Sequence, residues 1–366
     1  MARHAHARLM RPGDLSLAGR TPYDVIDRHD ICRLRYYPAR TPEPAKHPVV
    51  IVPPLAVNML IYDLFPDRSL VGHLQQQGHP VYLLDWGRPG RRQAHYHLSS
   101  YIQERMPAFL ARVRAHSGQQ QLILHGWSMG AIFSYCYAAL GDPDIAGLVL
   151  LGPPCDYHVD GISGRQNRRI GRQLRRLHRL TGWQVHRSPR SLWHTPGWAN
   201  SLGFKLLSPG GTARGYLDLL RHLEDEQEVR AHATQAAFLD DMVAYPGGVM
   251  QDILQYLITD NALAAGRLPI PDCSAQLADI RCPVLIIVGD RDPIITPAAS
   301  QRLISNLPEA HCTLVEVPGG HMSIVSGSQA PAQIWPQVDA WINTLPASAM
   351  GQPLSPVGAR SPRPAA

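Results

Sequence analysis

A doubly wound, mostly parallel α/β sheet carrying an inserted helical cap is the fold class this sequence predicts, and three observations predict it. Short continuous runs of aliphatic residues, such as Val49-Val50-Ile51-Val52 and Val284-Leu285-Ile286-Ile287-Val288, fit strands covered on both faces. Helix-like segments separate these runs over the first half of the chain. The alternation stops near Cys155 and resumes near residue 276, the mark of an insertion into a sheet. The chain has 366 residues, 45% hydrophobic and 17% charged, enough for a large core and unlike a disordered polymer.

In order, residues 1–20 are expected to be a flexible N-terminus, with folded sequence beginning near Thr21-Pro22-Tyr23. The run Val49 to Val52 predicts a strand that stops at Pro53-Pro54, which puts the loop Pro53 to Asn58 at a strand's carboxyl end, where such sheets gather ligand groups. A helix is predicted around Ser69 to Gln77, closed by Gly78, then a strand over Val81 to Leu84 and a helix over Tyr101 to Ala115. Leu122-Ile123-Leu124 leads into Gly126-Trp127-Ser128-Met129-Gly130 and an apolar helical segment, and Gly147 to Leu151 reads as the next buried strand. The core's first part is therefore 21–155, a mostly helical cap or lid spans 156–275, and the core's second part is 276–346. In that second part Thr313 to Val317 is the last strand, and Ile334, Val338, Trp341, Ile342 and Leu345 mark one face of a closing helix. Residues 347–366, rich in Ala, Ser, Pro, Gly and Arg, read as a disordered tail.

Charge is unevenly held. The net is +6, yet the stretch from Gly161 to Leu217 has eleven Arg or Lys residues and no acid. Within it Arg165, Arg168, Arg169, Arg172, Arg175, Arg176 and Arg179 accompany Ile170, Leu174, Leu177 and Leu180 at helical spacing. That is a basic amphipathic helix, which reads equally as a solvated lid face or as an anion-binding face, with Arg168, Arg172 and Arg175 the candidate phosphate ligands. Nucleic acid is not the expected partner, because the rest of the chain is acidic on balance and has no recognition module. Six cysteines without C-x-x-C spacing, no secretory pattern and no membrane-length apolar run predict a cytoplasmic protein with free thiols, no metal and no transmembrane segment.

The order strand, G-x-S-x-G, helix predicts a nucleophile elbow at Ser128. A serine hydroxyl attacks only when a base takes its proton, and a third group must hold that base in one tautomer. His321, in the turn Pro318-Gly319-Gly320-His321 after the last strand, is the candidate base. The acid lies in Gly289-Asp290-Arg291-Asp292, where Asp292 is favoured over Asp290 because it stands further from the strand end. Ser128, Asp292 and His321 occur in the chain order of an α/β-hydrolase fold. Oxyanion donors are expected from the amide of Met129 and, since Pro53 and Pro54 have no N–H, from Leu55 or Ala56. Asp85 is expected to cap a turn, and Cys136 and His125 to be packing residues.

Over most of its length the chain resembles the polyhydroxyalkanoate synthases, most closely the class III catalytic subunits. The resemblance includes VIVPPLAVNMLIYDL (Val50 to Leu64), QGHPVYLLDWGRP (Gln77 to Pro89), NSLGFKLLSP (Asn200 to Pro209), QYLITDNALAAGRL (Gln255 to Leu268), DRDPIITP (Asp290 to Pro297) and PGGHMSI (Pro318 to Ile324). It implies an α/β-hydrolase fold and transfer of (R)-3-hydroxyacyl units from coenzyme A to a growing polyester, with no cofactor beyond the coenzyme A thioester itself. The family's Asp and His fall on Asp292 and His321, and its nucleophilic Cys falls on Ser128. A second glycine after the family's nucleophile turn is here Ala131. The implied partners are a hydroxyacyl-coenzyme A or polyester substrate, a second non-catalytic synthase subunit, a homodimer, and the surface of a polymer granule or membrane. A serine hydrolase of esters, thioesters or polyhydroxyalkanoate, and a weakly catalytic granule-binding subunit, are the alternative functions.

Overall fold

The chain enters its sheet earlier than its apolar runs suggest, through a hairpin of Asp24–His29 (β1) and Cys32–Tyr37 (β2) turned at Asp30 with φ 53°. The computed structural model describes residues 12–41, 46–159, 161–207, 217 and 219–346. In β2, Cys32 and Leu34 are buried while Arg33 and Arg35 face outward, the alternation of an antiparallel strand with one wet face. The expectation of a flexible segment over residues 1–20 is corrected for its second half. Leu17 donates its N–H to Thr234 Oγ1 at 2.9 Å, Gly19 N bonds Asp63 O at 2.8 Å, and Leu17 and Ala18 pack on the core. The first eleven residues, and the tail predicted over 347–366, lie outside the described residues.

Six further strands follow: Val49–Val52 (β3), Val81–Asp85 (β4), Leu122–Trp127 (β5), Ile145–Leu151 (β6), Val284–Gly289 (β7) and Cys312–Val317 (β8). The sheet order is β1-β2-β4-β3-β5-β6-β7-β8, antiparallel as far as β4 and parallel from there on. Successive side chains go to opposite faces. Val50, Val52, Leu122, Leu124, Leu148, Leu150, Val284 and Ile286 join one apolar cluster, and Val49, Ile51, Ile123, Val149, Leu285 and Ile287 join the other. From β3 to β7 both faces are dry, which is why these strands read as unbroken apolar runs.

Helices Leu70–Gln76 (α1), Met106–Ser117 (α2) and Met129–Ala139 (α3) connect the first strands. The predicted helix from Tyr101 is in part a π-type turn over Ser100–Arg105 that continues into α2. Between β6 and β7 come Gly161–Thr181 (α4), Gly197–Leu207 (α5), Glu226–Asp240 (α6) and Gly247–Asp252 (α7), followed by a π-type turn Ile253–Thr259. No strand joins the sheet in this stretch among the described residues. Its later part is not a detachable lid, because Val249, Leu257, Leu263, Leu268 and Ile270 are buried in the same cluster as β5 and α3. Pro297–Ser305 (α8), the short Ser323–Ser326 (α9) and Trp335–Ile342 (α10) complete the fold. Trp341 of α10 lies where a Cβ on Gly147 would meet it at 2.8 Å, so the closing helix sits directly on β6.

Two glycines set the position of α3. A Cβ on Gly130 would stand 2.0 Å from Val52 O, and one on Gly126 would stand 2.6 Å from Ala131 Cα. The first turn of α3 therefore rests against the carboxyl end of β3 with no side chain between them. Both obstacles are backbone and cannot step aside. Gly130→Ala is expected to lower the free energy of unfolding by ~1–3 kcal/mol or more through overpacking. Gly203→Ala, exposed on α5 with nothing within 4 Å of its Cβ, is expected to be neutral or slightly stabilising. Denaturant melts check both, and equal stabilities of the two variants would contradict this packing.

Candidate active site

Ser128 lies between β5 and α3 at φ 55°, ψ −122°, a conformation that costs a non-glycine residue about 1–3 kcal/mol. The surroundings hold it there. Its N–H donates to Leu151 O at 2.9 Å, tying the elbow to the end of β6, while its carbonyl accepts from Ala131 N at 3.0 Å and starts α3. The half-buried hydroxyl is thereby lifted off the sheet edge.

From 193 residues downstream, His321 Nε2 reaches Ser128 Oγ at 2.9 Å. Its Nδ1 lies 2.6 Å from Asp292 Oδ2. With the proton on Nδ1, donated to the carboxylate, Nε2 is left to accept the serine hydroxyl. Asp292 Oδ1 accepts from the N–H groups of Ile294 and Ile295 at 2.8 and 2.9 Å, so both carboxylate oxygens have fixed work. The side chains of His321 and Asp292 are 5% and 0% exposed, which strengthens their mutual attraction relative to water.

Asp290, the rival acid, faces elsewhere. Its Oδ1 accepts from Gly319 N at 2.8 Å and its own N–H donates to Val317 O at 2.9 Å. The Gly319 amide, foremost, holds the Asp290 carboxyl below the usual carboxylate range. Its role is to fasten the loop after β7 to the turn that carries His321. Asp85 accepts two bonds from Arg35, at 2.6 and 3.1 Å, and caps its turn through Gly87 N at 3.0 Å.

Met129 is the first residue of α3, so its N–H has no partner within the helix. The close approach at Gly130 brings that end of α3 against the segment starting at Pro53. This loop is pinned on two sides. Trp86 Nε1 donates to Pro53 O at 2.8 Å, and Val243 N donates to Ala56 O at 2.9 Å. Leu55 and Ala56 are buried, and Ala56 has φ 69°.

Other candidates stand apart. Cys136 is fully buried in the core, and burial pushes its thiol well above the ordinary value. Burial likewise pushes Cys32 up to about 11 and Cys155 up to about 12. His125 is buried, and burial lowers it to about 4, so it is a neutral core residue. The predicted basic helix is α4, and all seven of its arginines from Arg165 to Arg179 are exposed. A groove of about 710 Å³ runs along Arg165, Arg168, Arg169, Ile170 and Arg172. None of the seven pairs with a carboxylate among the described residues, although Arg168 and Arg175 donate to His158 O and Thr259 O. The helix begins beside the acid's loop, where a cavity of about 150 Å³ separates Gly161 and Gly164 from Pro293, Ile294 and Thr296.

Three supporting residues are not evident in the sequence. Trp127 donates its indole N–H to His321 O at 3.0 Å and sets its ring 5.2 Å from the imidazole. Gly152, at φ 52°, leaves room beside the imidazole, since a Cβ there would lie 3.3 Å from His321 Cε1. Asp290 is the third: the sequence offers it only as the alternative acid, and its role in holding the Gly319 turn comes from the fold. Trp127 stands next to Ser128, and its place in the motif was the one signal available.

A strand-turn-helix elbow feeding a Ser, His, Asp relay at the carboxyl edge of a parallel sheet defines a class, and the family model described as alpha/beta hydrolase fold matches residues 48–328. The chain belongs to that family. Within it, residues 16–74 match the model described as poly-beta-hydroxybutyrate polymerase (PhaC) N-terminus. The chain is 29% identical to the poly(3-hydroxyalkanoate) polymerase subunit PhaC of Haloferax mediterranei over 88% of its own length and 64% of that protein's. It is 26% identical to the subunit of the same name from Synechocystis sp., covering 89% of this chain and 85% of the relative. The subunit from Allochromatium vinosum is 25% identical, with 89% of each chain covered. Among solved structures, a soluble variant of monoglyceride lipase from Saccharomyces cerevisiae superposes with a TM-score of 0.54 at 15% identity, covering 89% of this chain and 96% of that one. A Paleococcus ferrophilus monoacylglycerol lipase gives 0.51 at 19% identity, covering 85% and 98%. These two show the shared fold.

A fluorophosphonate probe is expected to label one site per chain, and Ser128→Ala to abolish the label. Asp292→Asn should slow labelling by about 10⁴-fold, the loss typical of an orienting acid, whereas Asp290→Asn should stay within about tenfold. Rates read by gel fluorescence check this, and the reverse order would move the acid to Asp290.

Proposed function

We propose that this chain is an acyltransferase of the polyhydroxyalkanoate polymerase kind, moving (R)-3-hydroxyacyl groups from coenzyme A to a growing polyester through an acyl-Ser128. One observation carries the reading. A connected Ser128, His321, Asp292 relay, at 2.9 and 2.6 Å, stands in a chain similar to named polymerase subunits over 88–89% of its length.

Ser128 Oγ attacks the thioester carbonyl while His321 Nε2 takes the hydroxyl proton, and Asp292 stabilises the resulting imidazolium through Nδ1–H. The oxyanion is held by the Met129 amide and that of Leu55 or Ala56, each such donor being worth ~10²–10³ in rate. Collapse breaks the C–S bond, and His321 returns its proton to the departing coenzyme A sulfur. A chain-end hydroxyl then gives its proton to His321 and attacks the acyl-serine carbonyl. The Ser128 C–O bond breaks, the proton returns to Oγ, and the polyester is one unit longer. Water in place of the chain end would give hydrolysis. The burial of His321 and Asp292 limits the water that reaches the base and so supports selection against it.

The exposed arginines of α4, led by Arg168, Arg172 and Arg175, suit the anionic phosphates of coenzyme A, and a second synthase subunit and a granule surface are the partners this reading implies. No helix among the described residues is long and apolar enough to cross a membrane.

Incubation of the purified chain with 3-hydroxybutyryl-coenzyme A, following free thiol and insoluble polymer together, tests this. Thiol with polymer is the expected result. Thiol without polymer, in the presence of a granule extract as a source of partner subunit, would make the chain a hydrolase. Neither would leave a granule-binding role. Separately, an Arg168, Arg172, Arg175→Ser triple variant is expected to raise KM for the thioester about tenfold at low salt with kcat little changed; an unchanged KM would remove the arginines from substrate binding.

A further inference from the structure

The insertion meets the core at a cluster the acyl-transfer chemistry does not use. Asp252 ends α7 with its side chain 3% exposed, and its Oδ1 lies 3.0 Å from His97 Nδ1 and 2.8 Å from His186 Nε2. Its other oxygen is occupied, since Oδ2 accepts from Leu98 N at 2.8 Å. The three ligand atoms lie within 4.8 Å of one another. They come from separate segments: the loop before Leu98, the short 3₁₀ turn Val185–Arg187 of the insertion, and α7.

Two features point to a bound cation. Asp252 is a buried carboxylate with no Lys or Arg paired with it among the described residues, and its partners are the two imidazoles and the N–H of Leu98. A buried carboxylate is stabilised by a nearby positive charge, and a cation bound where the two imidazoles already converge on Oδ1 would supply one. The site is also held in place before any ion arrives. Gln251 Nε2 donates to Val185 O at 3.0 Å and Ser188 O at 2.8 Å, fixing the turn that carries His186. Ser100 Oγ accepts from His97 N at 3.2 Å, and the imidazole of His97 lies against Gly248, where a Cβ would stand 2.9 Å from Cε1.

We infer that His97 Nδ1, His186 Nε2 and Asp252 Oδ1 form a Zn²⁺ site that bolts the insertion to the core. Two imidazoles and one carboxylate suit Zn²⁺ rather than Ca²⁺ or Mg²⁺, and a water fills the fourth position. The two nitrogens stand 2.8 and 3.0 Å from Oδ1 and all three atoms lie within 4.8 Å of one another, so the carboxylate contacts open and the nitrogens adjust toward the ~3.3 Å edge of a tetrahedron with ~2.0–2.1 Å bonds. On binding, each imidazole ligates as its neutral form, with its ring proton on the nitrogen that faces away from the metal, Nε2 of His97 and Nδ1 of His186. Spacing in the sequence conceals the site, because 155 and 66 residues separate Asp252 from its two histidines.

The test uses the full chain, stripped with EDTA and titrated with Zn²⁺ against a chromophoric chelator, and with Co²⁺ read by visible absorption. One tight equivalent is expected, with the visible bands of tetrahedral Co²⁺ and a raised Tm on Zn²⁺ addition. His97→Ala and His186→Ala should each weaken binding by more than the ~10–100-fold that a mere supporting partner costs, while His95→Ala, exposed nearby, should change it less than about threefold. X-ray absorption of the Zn²⁺-loaded wild type, which needs no variant to fold, should show two imidazole nitrogens in the first shell. No stoichiometric uptake, a shell without imidazole, or equal effects of all three substitutions would overturn the assignment and leave a metal-free hydrogen-bonded contact.

Discussion

The structure depends on how closely the start of α3 approaches the end of β3. Gly130 lies so near Val52 O that any side chain there would overlap it, and this contact lets a buried strand turn sharply into a helix at Ser128. The turn presents the hydroxyl, leaves the Met129 amide without a helical partner, and sets that amide beside the Pro53 to Ala56 loop. Local strain at Ser128 is offset by a large core on both faces of the sheet.

From this elbow the rest of the site follows by topology. Parallel strands β5, β7 and β8 all end at one edge of the sheet, so loops distant in sequence deliver Ser128, Asp292 and His321 to one place. Asp290 and Trp127 then fix the turn and backbone that carry the base. A serine at this position relies on its histidine entirely, because an alcohol is hardly ionised near neutrality. Cys32, Cys136 and Cys155 are buried with their thiols pushed up, which leaves no reactive thiol among these three to substitute for it.

How much was legible in the sequence depended on whether the signal was local. The parallel strands were, because burial on both faces leaves unbroken aliphatic runs, and the elbow was, because its glycines are forced by one tight bend. The β1–β2 hairpin was not, since Asp24–His29 is mostly polar and Arg33 and Arg35 interrupt β2. Residues 12–20 are ordered by partners such as Thr234 and Asp63, far along the chain, which no local pattern reveals. The cluster of His97, His186 and Asp252 was hidden for the same reason. The choice between Asp290 and Asp292 needed coordinates, as two acids in one short loop differ only in where their side chains point.

The central claim is that Ser128 carries the acyl group. Rapid quenching of the chain with 3-hydroxybutyryl-coenzyme A, followed by mass spectrometry of the peptide containing Ser128, tests it most directly. The account predicts an adduct of one or more hydroxyacyl units on that serine, formed as coenzyme A is released and absent in His321→Gln. Release of coenzyme A with the adduct on another residue, or with none at any quench time, would contradict it.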